Sequence, residues 1–382
     1  MTACLLVSPP LLCRGTLTLY FDPSPKKDRK DLFNREEELT TFSNALAYSP
    51  LIVIVGLRRT GKTSFMNVAL SESDHPHIVL DMRGLSFNPS QADIVRKIES
   101  AFNLINRRWI SGVLDAVKQV KGVSLLGGSI SLDWSREGVD LADLFDRVNT
   151  WAEDNDSKFL VAFDELQLIR GEKSIPRLFA HIIDYNQSIR LVVTGSEMGL
   201  LFDFLGSEDP DSSLYGRHQT EIKMRNFDRG ESMEFLTTGF RQVGIDPRRD
   251  IIEYAVDRLD GVVGWLTLFG ARCRDQKGLS VEIVDDAVKE GGRLARAEAL
   301  KMVRYSPRYG VTLNYLARAK RATWRQVKSI MEAHENRTLP NPTISETLNR
   351  LVKTSLVEKN MGYRIADPLL EEGILDDPLP EN

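Results

Sequence analysis

Cysteine is scarce in this chain: Cys4, Cys13 and Cys273 are the three among 382 residues, and no two form a CxxC pair. That excludes a disulfide framework and a thiolate zinc site, and it makes a reducing compartment, the cytoplasm, the expectation. Long apolar runs are absent as well. No stretch reaches the roughly 20 apolar residues that cross a bilayer, so no membrane partner is expected. The opening segment MTACLLVSPPLLCRGTLTLY has no basic residue ahead of its apolar run and is broken by Pro9 and Pro10. This argues against a secretory signal. Residues 1–20 are expected to be a poorly ordered tail, or to precede the true start. Internal repeats and low-complexity tracts are also missing.

What is present is the mix of a folded globular protein, 42% apolar and 27% charged, long enough for two or three domains. The net charge of −4 hides an asymmetry. Between Arg293 and Arg364 lie about fifteen basic and about five acidic residues, which points to a polyanion partner for that part. Solvated charged faces would produce the same composition.

The chain reads as alternating strands and helices up to about residue 226. LIVIVG (51–56) is a β-branched run of the kind buried on both faces of a sheet. HIVLDMRG (77–84), KFLVAFDE (158–165), RLVVTGSE (190–197) and QTEIKM (219–224) follow as further strands. Between them, Asn34 is expected to cap a first helix, residues 91–120 to form one long amphipathic helix, and residues 121–135 a hairpin turning at Gly127-Gly128. Helices are expected near 140–153 and 175–185. Such alternation predicts an α/β domain with a parallel sheet. From Phe227 onward only helical periodicity remains, opened by Asp228 and Glu231 at capping-box spacing.

Gly56-Leu57-Arg58-Arg59-Thr60-Gly61-Lys62-Thr63 fits GxxxxGK[ST] and lies between a strand and a helix, the context this motif requires. Its glycines let backbone N–H groups close on phosphate oxygens at a helix N-terminus. Lys62 would charge-pair with the β- and γ-phosphates, Thr63 would bring a hydroxyl to Mg²⁺, and Ser64 follows on the helix. The second strand ending in acids supplies Asp164 for the Mg²⁺ shell and Glu165 as base for an attacking water. Together these residues predict binding of ATP with Mg²⁺, and hydrolysis of the ATP to ADP. Ser196, at the end of a third strand with Thr194, is the candidate for contact with the γ-phosphate or the water. Arg217, just before the last strand, is the candidate arginine finger, acting within its own subunit or on a neighbour. Arg59 is expected to pair with Glu165 when the site is empty. The guanine reader Asn-Lys-x-Asp is absent, and nothing signals a kinase acceptor site.

Seven motifs then carry a resemblance: FNREEEL, GLRRTGKTSF, VAFDELQ, VVTGSEMGLL, YGR, GVVGWLTLFG and YRIADPLLEEGI, in this order from about Phe21 to Leu375. The chain resembles the archaeal ATPase family, P-loop proteins related to AAA+ and STAND ATPases and to origin-recognition initiators. The resemblance implies an AAA+-like core over 21–226 carrying the hairpin insertion, a helical lid over 227–292, and a C-terminal winged helix over 293–376. It also implies that Phe33, Asn34 and Arg35 lie near the adenine, and that Gly261-Val262-Val263-Gly264-Trp265 senses the nucleotide. No proline follows Gly261 and no arginine stands in that stretch, so the sequence departs here from both the STAND and the AAA+ form.

The basic end agrees with a winged helix: three short helices, then a hairpin turning at Asn360–Gly362. Thr343-Ile344-Ser345-Glu346 would open the helix that reads duplex DNA. Lys320, Arg321, Arg325, Lys328, Arg350, Lys353 and Lys359 would meet phosphates. Two readings remain open: an ATPase that repositions its lid and winged helix on DNA, and a slow ATP switch that works through a protein partner or a second copy without DNA.

Overall fold

The computed structural model describes residues 20–381 apart from 87–88, 134, 136–137 and 207–208. The tail expected over 1–20 thus falls, Tyr20 excepted, outside the described residues. The first part of the chain runs α1 (Glu36–Tyr48), β1 (Leu51–Val55), α2 (Lys62–Glu72), β2 (His77–Asp81), α3 (Gln91–Phe102) and α4 (Arg107–Val117). A small hairpin follows, β3 (Val123–Leu126) and β4 (Ser129–Leu132), then α5 (Leu141–Asp154), β5 (Phe159–Asp164), α6 (Ser174–Tyr185), β6 (Ile189–Gly195), α7 (Met198–Leu205) and β7 (Thr220–Lys223).

Five of these strands form one sheet in the order β2-β5-β6-β1-β7, and every pair is parallel. Alternate residues serve opposite faces. Val53, Val161 and Val193 join the core under α3–α6, while Ile52, Ala162 and Val192 join the core under α1 and α2. Because both faces are covered, β1, β5 and β6 are buried along their whole length. This is why they read as unbroken apolar runs.

Two local expectations change. The helix expected over 91–120 is two helices, interrupted at Asn103–Asn106. Asn103 exchanges hydrogen bonds with the backbone of Ile130 at 2.9 and 2.8 Å, and Asn106 caps α4 through Arg108 N–H. The hairpin thereby claims the amide that a continuous helix would leave idle. Asn34 is not the cap of α1 either. Asn34 and Arg35 both adopt left-handed backbone, and Arg35 occupies the cap position. The acidic first turn, Glu36 to Glu38, stands as expected.

The remainder is helical: α8 (Arg229–Gln242), α9 (Arg249–Leu259), α10 (Val263–Gln276), α11 (Val281–Val303), α12 (Pro307–Ala319), α13 (Trp324–Glu335) and α14 (Asn341–Lys353). A hairpin of β8 (Val357–Lys359) and β9 (Tyr363–Ile365) precedes α15 (Pro368–Asp376). Asp228 and Glu231 form the expected capping box at the start of α8. These elements share a single hydrophobic core, and α11 runs without a break through residues 292 and 293.

Phe21 belongs to that core too. Its fully buried ring fills a notch left by Gly239 on α8 and Gly270 on α10, where a Cβ would lie 2.4 and 2.2 Å from ring atoms. Arg274 closes the notch by donating to the Phe21 carbonyl at 3.0 Å. The N-terminal segment is therefore bolted to the helical part although it leads into the sheet domain. Phe21→Ala is expected to destabilise the protein by about 3–5 kcal/mol through the cavity it leaves, read as a lowered urea midpoint.

Candidate functional site

β1 delivers the chain into the loop 56–63, and α2 starts at its end. Gly61 takes the cap position of α2 at φ 90°, a left-handed conformation that glycine adopts without strain. The first N–H groups of α2 are left directed at the loop's concavity. Lys62 is 4% exposed, and its Nζ donates to the carbonyls of Gly56 at 3.0 Å and Leu57 at 2.7 Å. Burial depresses its pKa to about 8 despite the opposing pull of Glu165 and Asp164. Thr60, also buried, braces the loop by donating to the Leu57 carbonyl.

The acids meet this loop across the sheet. Asp164, 1% exposed, accepts from Thr63 Oγ1 at 2.9 Å through Oδ2 and from Thr194 Oγ1 at 2.6 Å through Oδ1. Arg83 approaches the same Oδ2 at 2.9 Å. Burial raises the Asp164 pKa, and these donors offset part of the rise. A hydroxyl and a carboxylate at this spacing are hard oxygen donors that suit Mg²⁺. Glu165 holds left-handed backbone at φ 58° while its N–H donates to Thr194 Oγ1. Its Oε2 accepts from Ser196 Oγ (2.7 Å), Ser196 N–H (3.1 Å) and Gln167 Nε2 (2.5 Å). Burial pushes its pKa up, but Lys62 and these donors outweigh it and hold the carboxyl below the ordinary value.

Beside Gly61 and Ser64 opens a cavity of about 360 Å³ with mainly apolar walls, including Phe33, Phe227, Phe235, Trp265 and Leu268. Arg35 lines it as well, held by Glu38 at 2.9 Å and lying 4.7 Å from the Phe227 ring centre. Asn34 turns elsewhere: its amide donates to Glu231 at 2.6 Å, and it borders a neighbouring groove. The segment from Tyr20 to Lys26 forms a wall of the cavity that sequence reasoning missed, and Lys26 N–H donates to Ser64 Oγ at 3.0 Å. An apolar slot joined to a phosphate loop suits a flat base attached to phosphates.

The loop arginines have other partners than expected. Arg59 does not pair with Glu165. It stacks 4.1 Å from the centre of the Trp265 ring and forks onto Glu298 of α11 at 2.8 and 3.2 Å. Glu165 faces β6 and Lys62, whereas Arg59 leaves the loop on the side of the helical part. Arg58 spans Glu197 at 2.8 Å and Glu298 at 3.4 Å. Trp265 is fully buried and donates its indole N–H to Asp367, the cap of α15, at 3.0 Å. The phosphate loop, α10, α11 and α15 are thus joined by one polar chain.

Arg217 is not brought to this site. It pairs with Asp184 at 2.6 Å and stands at the amino end of β7. In a parallel sheet the phosphate loop and acids lie at the opposite, carboxyl ends, so the sheet separates Arg217 from the site of its own chain. Arg83 and Gln167, by contrast, reach the acids and were missed. Arg83 follows β2 in HIVLDMRG, and an arginine just past a strand that neighbours the acid strand was the available signal.

The chain as a whole is similar to known proteins. The family described as an ATPase domain predominantly from Archaea matches residues 32–269. The chain belongs to this archaeal ATPase family. A Walker-type ATPase of Pyrococcus abyssi, PABY2304, is 30% identical over 94% of this chain and 100% of its own, with a TM-score of 0.80. The ORC2 protein of Aeropyrum pernix (14% identity, 93% of this chain and 95% of its own, TM-score 0.49) and the RuvB branch migration motor of Thermotoga maritima (13%, 93% and 99%, 0.44) are more distant. Likeness at that level implies nothing about function. No curated protein matches the sequence. Among the described residues no helix is long and apolar enough to cross a membrane.

For an archaeal ATPase the depressed Lys62 has a measurable consequence. Phosphate favours the protonated amine, so if Lys62 meets the phosphates as the motif predicts, ATP binding would raise its pKa from about 8 and take up a proton above that pH. ATP affinity is expected to fall as pH rises beyond 8, by up to about tenfold per unit. Calorimetry in buffers of differing ionisation heat should register the proton uptake.

Proposed function

We propose that this archaeal ATPase hydrolyses ATP with Mg²⁺ and uses the cycle to reposition its helical part, which carries a C-terminal winged helix. The observation that carries the reading is the hydrogen bond from Thr63 to Asp164, which draws the phosphate loop and the acid strand to one point. In this reading the cavity lined by Phe33 and Arg35 takes the adenine, and loop N–H groups with Lys62 take the phosphates. Bound Mg²⁺ would supply Lewis-acid charge neutralisation, held by Thr63 and Asp164. Glu165 accepts the proton of the attacking water: it is held ionised, and its three hydrogen bonds fall on Oε2, leaving Oε1 for the water. Ser196 then fixes the base in place rather than touching phosphate.

The loop arginines supply the coupling. Arg58 and Arg59 lie within the loop that folds on the phosphates, and both end on Glu298. A change in the loop on binding or hydrolysis would pull on α11 and, through Trp265 and Asp367, on α15. Arg217, half-buried and paired with Asp184 at the amino end of β7, is left for a neighbouring subunit's site. Glu165→Gln is expected to cut turnover about 10²–10⁴-fold while ATP still binds, as a phosphate-release assay beside a binding titration would record.

The winged-helix reading is supported by α12, α13, α14 and the β8–β9 hairpin, with Ala322 bridging Tyr363. DNA contact through it is the first reading, and a specific observation favours the second, a switch acting on a protein partner. Lys353 is tied to Asp203 at 2.7 Å, Lys320 to Glu371, and Lys328 to Asn341, while Ile344 is buried and Ser345 accepts from Trp324. The surface that would read bases is therefore partly engaged inside the chain. Duplex affinity that falls steeply with salt, together with DNA-stimulated turnover, supports the first reading. A flat salt dependence and indifferent turnover support the second.

A further inference from the structure

Arg83 stands beside the acid pair, and its position follows from the sheet. In the β2–β5 register Asp81 lies opposite Asp164, so the turn after β2 runs beside the acid pair. The Arg83 guanidinium forks onto Asp81, Nε to Oδ1 at 2.8 Å and Nη2 to Oδ2 at 3.0 Å. Its Nη2 also lies 2.9 Å from Oδ2 of Asp164, the oxygen that Thr63 reaches at 2.9 Å. One carboxylate oxygen thus holds both the hydroxyl assigned to Mg²⁺ and a permanent cation.

We propose that Arg83 is the counter-ion a divalent metal displaces from Asp164, with Asp81 retaining the guanidinium after the exchange. The inference rests on the reading of Thr63 and Asp164 as the metal's holders. A buried carboxylate needs a cationic or hydrogen-bonding partner, and Arg83 supplies it. Guanidinium does not deprotonate, so it cannot yield by losing its charge and has to move. Its side chain is 48% exposed, and its two bonds to Asp81 survive a small retreat, so one contact is given up. Metal alone then meets repulsion at Asp164. Metal arriving with ATP brings phosphate oxygens that balance it. Arg83 in this role makes the site favour the metal–nucleotide complex over the bare ion.

The test is Mn²⁺ titration of the nucleotide-free protein, followed by the electron paramagnetic resonance signal of free Mn²⁺. Arg83→Ala is expected to bind Mn²⁺ about tenfold more tightly than the parent, since a like charge a few ångströms away has been removed. Arg83→Lys, which keeps the charge, should stay near the parent. The gain should vanish when Asp164→Asn is added to Arg83→Ala. Unchanged affinity in Arg83→Ala, or a gain that persists in the double variant, overturns the assignment. ATP binding in the presence of Mg²⁺ separates the two levels of failure. A parent that binds ATP while Arg83→Ala gains nothing refutes the counter-ion alone, whereas a parent that binds no ATP refutes the nucleotide site and this inference with it.

Discussion

A carboxylate sealed from water must be ringed by donors, and the site is assembled around that demand at Asp164. Two strand ends and one helix start answer it. Thr63 comes from the first turn of α2, Thr194 from β6 and Arg83 from the turn after β2. Strand order makes this possible, since β6 lies between β1 and β5 and presents Thr194 and Ser196 between the phosphate loop and the acids. Removing any donor would leave charge poorly compensated in a region of low polarity, where such defects are costly. The same neighbours hold Glu165 in a left-handed backbone conformation, a small local strain at the proposed base.

The helical part is bound to this centre from two sides. On one side Phe21 anchors the N-terminal segment between α8 and α10, and the same segment reaches Ser64 beside the phosphate loop. On the other, Arg58 and Arg59 leave the loop for Glu298, and Trp265 passes the connection to Asp367. A cavity walled by both parts changes shape when either moves. The apolar slot would then act as a joint as well as a pocket in the proposed nucleotide-dependent repositioning.

Much of the site was legible because its chemistry is local. Eight consecutive residues, 56–63, hold the phosphate loop, and Asp164 at the end of β5 with the adjacent Glu165 supplies the two acids. Burial on both sheet faces also left its mark in the composition of β1, β5 and β6. The interrupted helix at Asn103 was not legible, because its amide is claimed by Ile130, 27 residues away. The cap of α1 failed for a related reason: Asn34 looks like a cap in isolation, yet Glu231 of the helical part takes its side chain.

By itself, then, the sequence determined a parallel-sheet α/β domain with a phosphate-loop motif between strand and helix and two acids at a neighbouring strand end, since short-range geometry sets the spacing of loop, helix start and strand-end acids. Only the tertiary structure decided the partners of the cations. Arg59 meets Glu298 across 239 residues of chain, Arg83 meets Asp164 through strand pairing, and Arg217 falls on the far side of the sheet. Long side chains take whichever counter-charge packing brings within reach, and no local pattern encodes which one that is.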